Sequence, residues 1–323
     1  QRNCIALATT MPYLKKSTSL GDGFRRSCLY WSKKTALLVP HDGKFEPIPY
    51  GELFDRVYEV AKSLHEIGLR KGDTLCIYSE NSLQWALSDW AAQTLGIVTV
   101  PIYPTLLAEQ ASYIARNCGA KVALVGNKTL AERLGEVSEL KCFSLKSGEP
   151  GLKDMPTVGK ESSLTHAIWQ EITQSIPRSD LATIIYTSGT SGEPKGAMLS
   201  HGAILDLVYA IRETRLLNEQ DTFLSWLPMS HVYERVAGHF LPVLIGATIG
   251  YSRSLASLGS DMLVVKPTVF LCVPRFLDSL KGRIQDGVAK QGKLQQTLFA
   301  MAQAAVLKQA QGGFSPLAGF FDA

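Results

Sequence analysis

Thr187, Ser188, Gly189, Thr190, Ser191 and Gly192 form a run without one hydrophobic side chain, and Glu193, Pro194, Lys195 and Gly196 close it. Gly189 and Gly192 carry no Cβ, so the backbone can turn successive N–H groups toward one point. The hydroxyls of Thr187, Ser188, Thr190 and Ser191 add donors, and Lys195 adds a mobile positive charge at the rim. The set suits a polyanion. The spacing differs from the Walker pattern, which needs four residues between its glycines and Lys directly after the second. Here two residues separate the glycines, and Lys195 follows only after Glu193 and Pro194. The plainer reading is an ordinary Ser/Gly hairpin loop, but such a loop has no need of clustered hydroxyls or a Pro-Lys-Gly exit.

A second cluster, Leu227-Pro-Met-Ser-His-Val-Tyr-Glu-Arg235, follows directly on a predicted strand. The carboxyl ends of strands are where open α/β sheets bind ligands, so His231, Glu234 and Arg235 are candidate hydrogen-bonding and charge-stabilising groups. Taken alone, Glu234 and Arg235 read better as a helix start with a local ion pair. His231 stands evenly between the two accounts.

The elements that must position these groups follow from periodicity. Leu181–Tyr186 is β-branched and apolar, a buried strand, and Ala197–Leu199 resumes an apolar run after the loop. Upstream, Ser19 caps a first helix with Leu20, Phe24 and Cys28 at four-residue spacing, and Tyr50–Gly68 is a long amphipathic helix. Between them lie a strand at Ala36–Val39 and a turn at His41–Gly43. Strands at Thr74–Ser79, Ile97–Tyr103 and Lys121–Val125 alternate with helices at Ser82–Leu95 and Leu107–Asn117. After the loop the order returns: a helix from His201, strands at Thr222–Leu227, Ala247–Tyr251 and Thr268–Val273, and helices at Val232–Ile245 and Leu258–Val265. Two helices, Phe276–Val288 and Leu294–Gln311, close the chain. Asp73 and Val125 precede Asp221 and Val273 by the same offset. The expected fold is therefore α/β, with two pseudo-duplicated, doubly wound β-α-β-α-β units; convergence on a common layout explains the offset equally well. Ser144–Ser175, rich in Gly and Pro, reads as a surface connection, which divides the chain into subdomains over 1–175 and 176–323.

At 323 residues, 46% of them hydrophobic and 19% charged, the chain has the makeup of a globular protein with a sizeable core. A net charge of +4 gives no argument for nucleic acid as a partner. Seven of the basic residues fall in the first 34 positions against Asp22 alone. That edge could touch an anionic membrane surface peripherally, although a solvated helix face is the preferred account. Six cysteines form no C-x-x-C pair and no metal spacing, and Cys76 and Cys272 sit in apolar runs as buried thiols do. The default setting is reducing and cytoplasmic. No apolar run reaches membrane-spanning length, and no signal peptide pattern is visible. The chain opens on Gln, with Met11 as a candidate start, ends at Phe-Phe-Asp-Ala, and reads as a fragment.

Tyr186-Thr-Ser-Gly-Thr-Ser-Gly-Glu-Pro-Lys-Gly196 resembles the phosphate-binding loop of the adenylate-forming superfamily, Tyr-Thr-Ser-Gly-Thr-Thr-Gly-x-Pro-Lys-Gly. Ser191 alone departs from it and keeps the hydroxyl. Leu227–Arg235 matches the Leu-Pro-x-x-His-x-x-Glu-Arg segment of the long-chain acyl-CoA synthetases. Pro101–Thr105 with Glu109-Gln110, and Val273–Phe276, are similar to the same branch. The resemblance runs from about residue 18 to the end and implies ATP-dependent activation of a fatty acid to acyl-adenylate and then acyl-CoA. ATP, Mg2+ and coenzyme A would serve the reaction. It implies phosphate contacts at Thr187, Ser188, Gly189, Thr190, Ser191, Gly192 and Lys195, with Thr187 on the magnesium and Lys195 aiding catalysis. It places His231 beside the acyl-adenylate, with Trp226, Met229 and Tyr233 near the acyl chain. The family's later elements, including the adenine- and magnesium-holding segment, the ribose-binding Asp, the hinge and the C-terminal domain with its catalytic Lys, have no counterpart here. Two alternatives stay open: an adenylating ligase for aromatic or amino acids, and a non-catalytic truncated product that binds nucleotide or a partner.

Overall fold

The Leu83–Leu95 helix is apolar on nearly every side, and almost all its residues are buried. Ser82 starts it by accepting the Trp85 N–H, and Gly96 stops it in the left-handed conformation at φ 68°. The computed structural model describes residues 12–135, 137–159, 161–187 and 193–310. Ser188–Gly192 therefore lie outside the described residues.

Among the described residues, ten strands make two sheets. They are β1 (Thr35–His41), β2 (Lys44–Pro49), β3 (Thr74–Tyr78), β4 (Val98–Ile102), β5 (Val122–Val125), β6 (Lys141–Ser144), β7 (Leu181–Thr187), β8 (Lys195–Ser200), β9 (Thr222–Ser225) and β10 (Thr248–Tyr251). One sheet runs β6-β5-β3-β4-β7-β8, parallel except for the edge strand β8, and the other runs β2-β1-β10-β9. Asp42 and Gly43, both at positive φ, close the β1–β2 hairpin as a two-residue turn.

The six-stranded sheet is covered on both faces, as expected. On β3, Leu75 and Ile77 enter one core with Phe24, Trp85 and Trp90, while Cys76 and Tyr78 enter another with Ile114 and Leu130. That alternation is the strand's two-residue period.

The duplication survives in the topology. β3 lies between β4 and β5, and β9 lies between β10 and a parallel bridge at Val269. The expected strand at Thr268–Val273 shrinks to that bridge. Sheet membership does not follow the boundary expected at residue 175, because β7 and β8 complete the first block's sheet and β1 and β2 complete the second's. The stretch Ser144–Ser175 is also more ordered than a surface connection: its helix His166–Ser175 buries Trp169. The chain forms one compact unit to Leu271 and a second from Cys272. In the second, Pro274–Ala289 and Lys293–Ala310 are helices. Cys272 is half-buried rather than buried.

The helix expected at Val232–Ile245 differs most. Glu234–Phe240 forms a π-helical turn, followed by a short α-helix Leu241–Leu244. Pro242 has no N–H to give and ends the wide turn.

Candidate functional site

β7 and β8 form an antiparallel hairpin whose last described pair is Thr187 opposite Lys195. Both side chains are exposed at the mouth of the loop. Beneath them Tyr186 is buried and donates its hydroxyl to Asn117 Oδ1. Gly196 faces Tyr186 across the pair, and a Cβ built there would lie 2.6 Å from Ile184 Cγ2 and 3.1 Å from Tyr186 Cζ. The Pro-Lys-Gly exit thus needs its glycine so that β8 can lie close against the Tyr186 ring.

β4 and β7 run parallel with Thr99 opposite Thr183. Four residues further on each strand stand Tyr103 and Thr187, so both reach the carboxyl end of the same sheet. The Tyr103 ring meets the His231 ring edge-to-face at 6.5 Å between centroids. Thr187 and His231 therefore stand at the same end of this sheet, the end where α/β sheets bind ligands.

His231 is exposed, and its Nδ1 accepts the Tyr233 N–H at 3.1 Å. The neutral ring then carries its proton on Nε2, which is left as a donor. Tyr233 is 41% exposed beside it. Trp226 donates Nε1–H to Leu271 O at 2.8 Å and stacks on Phe270. Met229 has no exposed surface and packs in the core, so its place near an acyl chain rests on the resemblance alone. The Asn81 side chain holds this segment to the end of β3: it donates to Leu227 O at 2.7 Å and accepts from the Met229 N–H at 2.8 Å.

Glu234 and Arg235 do not pair with each other, contrary to the local ion pair expected from sequence. Glu234 accepts from the Ser225 hydroxyl, while Arg235 donates to Asp89 Oδ1 and Thr99 Oγ1. His239 Nε2 lies 3.2 Å from the other Asp89 oxygen, and all four ionisable side chains are buried. Arg235 also stands 5.3 Å from the Trp85 and Phe240 ring centroids. The wide turn thus binds the β9 end through Glu234, and β4 and the Leu83–Leu95 helix through Arg235. Just ahead of it, the His231 carbonyl accepts the Arg235 N–H at 2.9 Å. Burial pushes the Asp89 carboxyl up, but Arg235 and His239 outweigh it and hold the group below its ordinary value. Burial lowers His239 against the raising effect of the Asp89 carboxylate. Burial raises Glu234 to about 7 against the Ser225 hydrogen bond. Sequence reasoning missed Asp89, although a carboxylate among the tryptophans, leucines and alanines of this helix signals a buried cation partner.

A cavity of about 420 Å³ opens at the ends of β3, β4 and β5, lined among others by Ser79, Asn81, Asn127, Arg133 and Lys146. The chain leaves β3 toward β4 on one side and β5 toward β6 on the other, which makes this a topological switch point. Arg133 anchors its wall by donating to Pro104 O and Leu106 O. Periodicity gave no sign of this site, because strand order is a long-range property.

No described helix is long and apolar enough to cross a membrane. In the basic leading edge, Arg25 and Arg26 pair with Asp22 and Lys34 donates to Gly246 O, so these cations are tied into their own fold.

The family described as "AMP-binding enzyme" matches residues 24–317. The rat long-chain-fatty-acid–CoA ligase ACSBG2 is 29% identical over 88% of this chain and 45% of its own length. Long chain acyl-CoA synthetase 3 of Arabidopsis thaliana is 32% identical over 80% of this chain and 42% of its own length. The chain spans less than half the length of these relatives. Among solved structures, a putative long-chain-fatty-acid CoA ligase of Rhodopseudomonas palustris superposes with a TM-score of 0.65 at 21% identity, covering 80% of this chain and 64% of its own.

Proposed function

The chain belongs to the AMP-binding enzyme family, and on that premise we propose that it is the nucleotide- and acyl-binding part of an AMP-forming long-chain fatty acid–CoA ligase. One observation carries this reading: Thr187 and Lys195 face each other across the loop mouth at the same sheet end as His231 and Tyr103. In the first step a fatty carboxylate attacks the α-phosphorus of ATP and pyrophosphate leaves; in the second, the thiol of coenzyme A displaces AMP. The barrier to the first is repulsion between carboxylate and polyphosphate, with charge growing on the leaving group. N–H groups of Ser188, Gly189, Thr190, Ser191 and Gly192, turned toward the phosphates, would answer that need with Lys195 at the rim. His231 offers Nε2–H to an oxygen of the adenylate, and Trp226 and Tyr233 supply apolar surface for the acyl chain.

Mg2+ fits the hydroxyl oxygen of Thr187, since it binds through hard oxygens and keeps several waters and substrate phosphates. Among the described residues no cluster of His, Cys, Asp and Glu could hold a metal by itself. Bound there, the ion would neutralise phosphate charge. The cavity walled by Arg133 and Lys146 suits the phosphates of a second nucleotide-like substrate, and coenzyme A carries them.

The test is palmitate-dependent ATP–pyrophosphate exchange by the full-length protein, run beside aromatic acids and amino acids. Exchange with palmitate, lost in Lys195→Ala, supports the proposal. Exchange confined to another acid class would assign the site to that class. The 323-residue chain alone is expected to bind ATP weakly and form no acyl-adenylate; turnover by it would remove the need for any further segment.

A further inference from the structure

The sheet face beneath the Ala108–Asn117 helix carries three thiols that the proposed reaction does not use. Cys76 lies on β3 and is buried, Cys142 lies on β6, and Cys118 is the C-cap of the helix. Cys76 Sγ and Cys118 Sγ are 3.8 Å apart, which is van der Waals contact. Cys142 shares the face but not the contact. Cys76 is opposite Ala123, and Ala123 is opposite Cys142. Two strand spacings put their Cα atoms about 9.6 Å apart, beyond the roughly 7 Å that a disulfide can bridge.

The two touching thiols are unequal. Cys118 is partly exposed and Cys76 is not, so a dissolved reagent meets Cys118 first. The contact with Cys76 lowers the Cys118 thiol against the opposing effect of burial, and the Ala120 backbone adds to the lowering, while Cys118 Sγ also donates to Ala115 O at 3.5 Å. The same contact and burial both raise Cys76. Cys118 is also joined to the candidate site. Its neighbour Asn117 accepts the Tyr186 hydroxyl, and Tyr186 precedes Thr187 at the loop mouth. On the other side Gly119, at φ 64°, can take up a change in direction.

We propose that Cys76 and Cys118 form a reversible dithiol–disulfide site, closed by exchange with a low-molecular-weight disulfide such as oxidised glutathione, and that closure reaches Thr187 through Asn117 and Tyr186. The Cys118 thiolate attacks one sulfur of the reagent and expels one glutathione thiolate, leaving a mixed disulfide. Cys76 gives up its proton and attacks Cys118 Sγ, expelling the second glutathione. Two electrons pass from the protein thiols to the reagent, and two molecules of reduced glutathione leave. The sulfurs must close to about 2.05 Å, which draws the helix end and Asn117 toward β3 and away from the Tyr186 hydroxyl.

The experiment treats the full-length protein with oxidised glutathione and maps peptides by mass spectrometry without reduction. The expected product is a Cys76–Cys118 link that dithiothreitol removes, that survives Cys142→Ser, and that leaves Cys76 unreacted in Cys118→Ser. A Cys118–glutathione adduct that persists beside free Cys76, a link to Cys142, or no reaction at Cys118 overturns the site. Hydrogen exchange over residues 184–198 reads the coupling without using ATP, so it is independent of the proposed activity. Exchange at Thr187 and Gly196 should rise roughly fivefold on oxidation, as the loss of one hydrogen bond gives. Unchanged exchange in the linked protein overturns the coupling.

Discussion

The hairpin of β7 and β8 and the wide turn after His231 serve the same rim by opposite means. The hairpin ends on exposed hydroxyl and ammonium groups, on an edge strand with little buried surface. The wide turn hides an Arg, a Glu and a His against an Asp of the Leu83–Leu95 helix, all within 1% of complete burial. Charge at the hairpin is kept in water for a ligand to use. Charge in the wide turn is committed to its own partners, and removing one leaves another uncompensated in a medium that cannot solvate it. The first region should therefore fail in activity and the second in stability.

Asp89→Ala gives the largest effect. It strands the Arg235 guanidinium, so the full-length protein should lose about 3–5 kcal/mol of unfolding free energy, read by denaturant titration. A loss below about 1 kcal/mol would mean that water reaches Arg235 and that the contrast with the hairpin is false. Lys195→Ala should reverse the pattern. Exchange activity should fall about 10²–10³-fold, the usual cost of one charge-stabilising donor, while stability stays within about 0.5 kcal/mol. Equal losses of stability in the two variants would erase the distinction.

The same contrast decided what could be read from the sequence. The hairpin's chemistry is local: hydroxyls, glycines and Lys195 lie within nine residues, so their pattern is visible along the chain. The strands and helices of the first block were legible for the same reason, since Ser82 and Gly96 mark their helix ends with nearby atoms. Asp89 and Arg235 are 146 positions apart, and no window joins them. Along the chain the wide turn reads as an ordinary helix because its apolar spacing suits one; its departure depends on partners in other elements. The exchange of strands between the two blocks escaped likewise, because β1 meets β10 only across the fold.

Glu234 sharpens the comparison through pH. Its folded value, raised to about 7 from 4.5, means that the native state holds a proton the unfolded chain has released between those values. Unfolding free energy from this group is complete below about pH 4.5, falls as pH rises, and is gone above about 7, with a span of about 3 kcal/mol. Glu234→Gln keeps the neutral shape and should flatten that slope, making the variant more stable than the parent at pH 8. Lys195→Ala should leave the slope unchanged. The wild-type profile also carries the opposite slope of buried His201, lowered to about 4, so the difference between parent and Glu234→Gln isolates the group, and an unchanged slope in the variant would contradict the burial of Glu234.

Glycine substitutions test the two regions on equal steric terms and give the smallest effect. A Cβ at Gly238 would lie 2.5 Å from Glu234 Oε1, and one at Gly196 would lie 2.6 Å from Ile184 Cγ2. The obstacle at Gly238 is the far end of a long side chain, yet that end is buried and bonded to Ser225. The obstacle at Gly196 is a β-branched methyl on a stiff strand, but β8 is an edge strand with room to move outward. Gly238→Ala should therefore cost about 1–3 kcal/mol, the usual penalty for overpacking, and shift the Glu234 titration as its carboxyl is displaced. Gly196→Ala should cost less stability and weaken ATP binding instead, because relief comes by moving Lys195 away from Thr187. If Gly196→Ala proved the more destabilising and left ATP affinity intact, the hairpin would be as tightly held as the wide turn, and exposure alone would not separate their roles.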